Sequence, residues 1–165
     1  RNDDAVALAF VADLAEEGIQ VGKQTELIAS LLAPEGIIVG DVTEPDWNDI
    51  RFGYRMAKGI AGLDIGQTVV IKDAAVIAVE AIEGTDKTIV RAGELVGPGT
   101  TVVKVAKPKQ DLRFDVPTVG LRTLHAMKSA GARLLAVEAD AVFILDKEEL
   151  KRQALAAGIS IVGIR

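Results

Sequence analysis

The chain has 165 residues, a formal net charge of −5 and no cysteine; 49% of its residues are hydrophobic, 26% charged and 4% aromatic. This is enough apolar material for one ordinary globular domain, or a small domain with a piece of another. The acidic balance and scarce aromatics exclude a nonspecific nucleic-acid surface, and the missing cysteines exclude disulfides and thiolate metal sites. No apolar run approaches the ~18 residues of a membrane span, and no signal peptide is visible. The sequence starts at Arg1 without a methionine and turns almost at once to a helical pattern, so it is expected to be part of a longer protein.

In chain order, Asn2 or Asp3 caps an apolar helical pattern through Val6, Phe10, Val11 and Leu14, stopped at Gly18. Residues 19–21 predict a short strand, 25–32 a second helix, and 37–39 another strand. That alternation suggests one flank of a parallel sheet. Thr43-Glu44-Pro45-Asp46 is a helix start. Trp47, Ile50, Tyr54, Ala57 and Ala61 then repeat at three and four, one stripe of a helix ending near Gly62. The best boundary falls at 63–66. Residues 1–62 are read as the latter part of a Rossmann-like N-terminal domain with a bridging helix, and 67–165 as a compact mixed-sheet α/β C-terminal domain.

From Gln67 the period changes to two. Residues 68–72 and 75–80 predict a hairpin around Asp73-Ala74, without the favoured glycine. A helix is expected over 87–96, a strand from Thr101, and a helix over 121–130 stopped by Gly131. Strands are expected over 134–137 and 142–145 around Glu138-Ala139-Asp140, then a helix over 147–157 and a last strand over 159–164.

Chemistry concentrates in two places. Glu83-Gly84-Thr85-Asp86 places a glycine and capping oxygens before a helix whose N-terminus carries partial positive charge; Thr85 or Asp86 would cap it. The tetrapeptide suits an anion seat, and equally a plain capped helix after a turn. Residues 101–117 then gather Lys104, Lys107 and Lys109 ahead of Asp111-Leu112-Arg113-Phe114-Asp115. Such a mixture suits a phosphate with a metal ion, or a solvated loop with internal ion pairs. On a strand, Asp111, Arg113 and Asp115 would share one face, with the aspartates ~13 Å apart, too far to clasp one ion. Either the segment curls or one aspartate works with Glu80, Glu83 or Asp86. Fixed cations and a divalent metal would stabilise the charge that builds in pyrophosphate hydrolysis, and an aspartate would orient or deprotonate the water. His125, alone in a helix, is left out of the site. No serine–histidine–acid spacing, phosphate-binding P-loop or zinc-protease motif occurs.

The runs QTVVIKD from Gln67, VEAIEGTD from Val79, KVAKPKQDLRFDVP from Lys104 and GARLLAVEA from Gly131 resemble the LpxI family, UDP-2,3-diacylglucosamine pyrophosphatases of lipid A biosynthesis in Gram-negative bacteria. The resemblance is strong over 67–163 and weaker before 62. It implies magnesium-dependent hydrolysis of the UDP-linked diacylated glucosamine to UMP and 2,3-diacylglucosamine 1-phosphate, with attack on the β-phosphorus. By motif position Asp111 and Asp115 would be catalytic or metal-handling. Glu83, Gly84, Thr85 and Asp86 would bind substrate, and Lys104, Lys107 and Arg113 would face the phosphates. A cytoplasmic homodimer in peripheral contact with the inner membrane is the expected setting. The family's opening strand and glycine-rich turn are absent from this sequence, so the 165 residues alone are expected to hydrolyse little. The alternative is a non-catalytic nucleotide- or lipid-binding regulatory domain.

Overall fold

The structure is a computed structural model and describes residues 3–165. Helix α1 (Asp3–Glu16) ends before Gly18, whose φ of 78° is the left-handed stop expected there. Of the two expected caps, Asn2 lies outside the described residues and Asp3 is the first residue of α1. Residues 19–21 pair with no strand among the described residues, and the helix expected over 25–32 is one turn, α2 (Gln24–Leu27), followed by a 3-10 turn at Ala29–Leu31. Neither turn buries a residue, so nothing in packing sustains a longer helix.

Strand β1 (Gly36–Val39) forms where expected but runs antiparallel to the final strand β8 (Ser160–Ile164), rather than flanking a parallel sheet. It covers the outer edge of β8, whose N–H and C=O groups would otherwise lack partners. Helix α3 (Glu44–Gly62) starts as read: the Thr43 amide and hydroxyl both donate to Asp46 Oδ2, at 2.6 and 2.5 Å. The hairpin also forms, from β2 (Thr68–Lys72) and β3 (Ala75–Val79). Its turn takes Asp73 and Ala74 to positive φ without glycine, and Asp49 of α3 steadies it by accepting the Ala74 amide at 2.6 Å.

The rest follows as α4 (Thr85–Val96), β4 (Thr101–Lys104), β5 (Thr118–Val119), α5 (Leu121–Ala130), β6 (Leu134–Glu138), β7 (Phe143–Ile144) and α6 (Lys147–Ala156). Among the described residues the strands make a six-stranded sheet, β1-β8-β6-β4-β2-β3, and a small parallel pair, β5 and β7. β4, β6 and β8 are parallel and β1, β2 and β3 antiparallel to their neighbours, so the mixed-sheet α/β class is found.

Period-two alternation divides the core. Val70, Val102, Leu135, Val137 and Ile161 face α4, α5 and α6 through Ile89, Leu124, Met127 and Leu150. Val69, Ile71, Val103, Leu134, Ala136 and Val162 face α3 through Ile50, Ala57 and Ala61. The three layers leave the carboxyl ends of β3 and β4 beside the starts of α4 and α5, the usual place for a ligand in an open α/β sheet.

Candidate functional site

Lys104 closes β4 and is buried, 8% exposed, in register with Thr68 of β2 and Val137 of β6. A lysine at the last rung of a strand aims its long stem out of the sheet while the strand fixes its root. Its Nζ donates to Thr85 Oγ1 at 2.8 Å, and Thr85 Oγ1 donates to Glu80 Oε1 at 2.8 Å. Burial pushes the ammonium's pKa below its ordinary value, while the carboxylates of Glu80, Asp86 and Asp115 push it back up.

Above Lys104 lies a cleft of about 580 Å³. One wall is Glu83, Gly84, Thr85, Asp86 and Lys87; the other is Thr118 to Thr123 with Leu145 and Asp146. Two helices therefore begin at its edge. The residue before α4 is Gly84, at φ 83°, and that before α5 is Gly120; neither helix start carries a side-chain cap. The expectation that Thr85 or Asp86 caps α4 is corrected here. The helix begins at Thr85 itself, whose hydroxyl is committed to Glu80 and Lys104. Two uncapped helix starts with first-turn amides facing a cleft suit an anion.

The remaining candidates fall around this centre. Glu83 accepts from Arg91 at 2.6 Å and from the Ala81 amide at 3.2 Å, and backbone amides together with Arg91 hold its carboxyl below the usual range. Residues 105–117 are not a strand: they form turns, with Phe114 N donating to Asp111 O and Asp115 at φ 55°, so the shared strand face does not exist. Pro108 lacks an N–H for ladder pairing, and left-handed backbone at Asp115 breaks the pleat. Arg113 binds both oxygens of Asp111, with Nη2–Oδ2 at 2.7 Å and Nε–Oδ1 at 3.0 Å, and this guanidinium holds Asp111 below the carboxylate range. Lys107 reaches Asp64 at 2.7 Å. The fold thus gathers Glu83, Gly84, Thr85, Asp86 and Lys104 at one cleft with Asp115 acting on Lys104, and sets Asp111, Arg113 and Lys107 in contacts of their own.

Sequence reasoning missed Arg122, a 93% exposed side chain at the start of α5 lying 3.6 Å from Asp86, and the carboxamides of Gln67 and Gln110, joined at 2.7 Å. No local pattern marks a pair 43 residues apart. Among the described residues no three metal-ligating side chains converge. Magnesium bound with a diphosphate needs only one or two carboxylates besides the phosphates; Asp86 lines the cleft, and the charges of Asp86 and Asp115 both act on Lys104.

The architecture is that of a mixed-sheet α/β domain with a buried lysine at a cleft between two uncapped helix starts. The chain is a member of the LpxI family: the model of the LpxI C-terminal domain matches residues 34–162. It is similar to the UDP-2,3-diacylglucosamine pyrophosphatase LpxI of Caulobacter vibrioides, 29% identical over 175 aligned residues, covering 99% of this chain and 62% of that relative. The chain therefore spans less than two thirds of the length of the curated relative it matches. Among the described residues no helix is long and apolar enough to cross a membrane.

Proposed function

We propose that this chain forms the diphosphate-handling part of a hydrolase that splits UDP-2,3-diacylglucosamine into UMP and 2,3-diacylglucosamine 1-phosphate. The observation that carries the reading is Lys104 at the foot of a cleft bounded by two uncapped helix starts. A diphosphate brings at least two negative charges, and hydrolysis builds more on the leaving phosphate. Preorganised cations and amides meet that charge without reorganising.

In this reading Lys104 and the first-turn amides of α4 and α5 hold the phosphates, and Arg122 closes over them from the rim. Thr85 and Glu80 fix the ammonium's position. Asp115 orients a water for attack on the β-phosphorus and takes its proton. The bond from that phosphorus to the bridging oxygen breaks, and the oxygen leaves with UMP. Asp86 and Asp115 would hold magnesium, which supplies further neutralisation of phosphate charge when bound. Asp111 serves less well as a ligand while Arg113 occupies both its oxygens. Lys107 and Arg113 reach the substrate by exchanging their present partners. We place the acyl chains of the substrate at the inner-membrane boundary of a cytoplasmic enzyme, or at a homodimer interface.

The test is UMP release and UDP-lipid binding by the full-length protein carrying Asp115→Asn or Asp111→Asn, with magnesium. Turnover lost with binding retained in Asp115→Asn supports the reading. Unchanged turnover in both variants supports a binding-only regulatory domain. The 165-residue chain assayed alone is expected to release little UMP.

A further inference from the structure

One uncharged side chain holds the charged loop in shape. Gln110 Oε1 accepts from Gln67 Nε2 at 2.7 Å and from the Lys107 amide at 3.2 Å, and Gln110 Nε2 donates to the Asp115 carbonyl at 2.8 Å. Its own amide donates to Lys107 O at 3.1 Å. The carboxamide therefore ties both arms of the loop together. Gln67 anchors it: the Gln67 amide donates to Glu80 Oε2 at 3.1 Å, and Gln67 O accepts from Val105 N at 2.9 Å. Glu80 in turn accepts from Thr85, which accepts from Lys104. A continuous chain of hydrogen bonds runs from the Asp115 backbone through Gln110, Gln67, Glu80 and Thr85 to the Lys104 ammonium.

Asp115 sits at φ 55°, where a side-chain-bearing residue stays only when its surroundings hold it. Among the hydrogen bonds that do so, the Gln110 donation grips the Asp115 peptide itself. We propose that Gln110 is a positioning residue that fixes the backbone at Asp115, and with it the direction of the Asp115 carboxylate, for diphosphate hydrolysis. The proposal rests on the function argued above and adds a part to it: the loop's geometry, and so the rate, depends on a donor that never meets the substrate.

The test separates donor from acceptor in the full-length protein. Gln110→Glu keeps an acceptor for Gln67 and for the Lys107 amide but replaces the donor to Asp115 with an oxygen. Gln110→Ala removes both. The expected result is a fall in kcat of about 10- to 100-fold in both variants with KM within about 2-fold, and a melting temperature for Gln110→Glu close to wild type. Wild-type kcat in Gln110→Glu, or a loss confined to KM, overturns the proposal. If Gln110→Ala fails to fold, Gln110→Glu decides alone. Asp115→Asn and Lys104→Met run in parallel: if they lose turnover and Gln110→Glu does not, this inference alone fails. If Asp115→Asn and Lys104→Met keep turnover, the proposed function fails and takes the inference with it.

Discussion

Lys58 and Glu138 grip a single residue, Ala106, between them. Lys58 Nζ, on α3, donates to both oxygens of Glu138, at the end of β6, at 2.9 and 3.0 Å, and also to the Ala106 carbonyl at 3.0 Å. Glu138 Oε2 accepts the Ala106 amide at 2.8 Å, and Tyr54 donates to Oε1 at 3.1 Å. The pair fixes both polar groups of Ala106, the residue from which the charged loop departs.

Glu138→Ala leaves three donors without their acceptor in a site where the two charged side chains are 27% and 15% exposed. It should cost about 2–4 kcal/mol in urea unfolding. The same variant has an optical readout, because Tyr54 is the single tyrosine. Burial first, then the charge of Glu138 and the hydrogen bond to it, hold the Tyr54 phenol above its ordinary pKa. Removing Glu138 should lower that pKa part of the way, burial remaining, in an absorbance titration. An unchanged Tyr54 titration would show that the pair is not formed.

Two glycines on α3 should respond to alanine with opposite signs. A Cβ at Gly53 would lie 2.7 Å from Val103 Cγ2 and 2.8 Å from Ile71 Cγ1, so the helix rests on the sheet at that glycine. Gly53→Ala should cost about 1–3 kcal/mol through overpacking. A Cβ at Gly59 meets nothing within 4 Å. Gly59→Ala should stabilise by about 0.5–1 kcal/mol through helix propensity. Thermal melts of the two variants moving in the same direction would contradict the packing of α3 on β2 and β4.

Acid stability has a named contributor on α6. Arg152 Nε and Nη2 donate to Glu149 at 2.8 and 2.5 Å, and Gln153 adds a bond of 2.7 Å. Arg152 and then Gln153 lower the Glu149 pKa from 4.5 to about 2. A depressed folded pKa gives stability that is complete above the unfolded value and is lost as pH falls through the folded one. The stability difference between wild type and Glu149→Gln should therefore stay constant from neutrality to about pH 5 and close as pH approaches 2. A difference that persists at pH 2 would assign the contribution to something other than ionised Glu149.

The elements legible in the sequence were those whose own period decides them. The α3 stripe through Trp47, Ile50, Tyr54, Ala57 and Ala61 and the alternation of the hairpin both emerge where local pattern and tertiary burial agree. The Glu83–Asp86 turn and Lys104 were legible as charge chemistry, and the fold brings them to one cleft. Alternating charged and apolar residues left the loop open between a strand and a curled segment, and Pro108 with the left-handed Asp115 decides for the curl. Glu138, read as a turn residue, closes β6 and serves Ala106 from 32 positions away. Gln67 and Gln110 lie in the runs that carry the family resemblance but bear no charge, so charge chemistry passes over them and only the fold makes them partners.

Lys104 should exchange stability for function. Burial depresses its pKa, and the attraction of Glu80, Asp86 and Asp115 does not fully restore it, so the charged amine is a net cost to the folded state. With the folded pKa below the unfolded one, the unfolded chain binds more protons between the two values. Stability contributed through this group should therefore rise with pH across that window. Lys104→Met keeps the stem and removes the charge, so its stability at neutral pH should match or exceed wild type, while UMP release and UDP-lipid binding fall by at least about 100-fold. Asp86→Asn removes one of the carboxylates that raise the Lys104 pKa. The alkaline limb of kcat/KM should then move to lower pH. Loss of more than about 2 kcal/mol in Lys104→Met would make the lysine a stabilising ion-pair partner instead, and an alkaline limb that stays in place in Asp86→Asn would remove Lys104 from the ionisations that govern turnover.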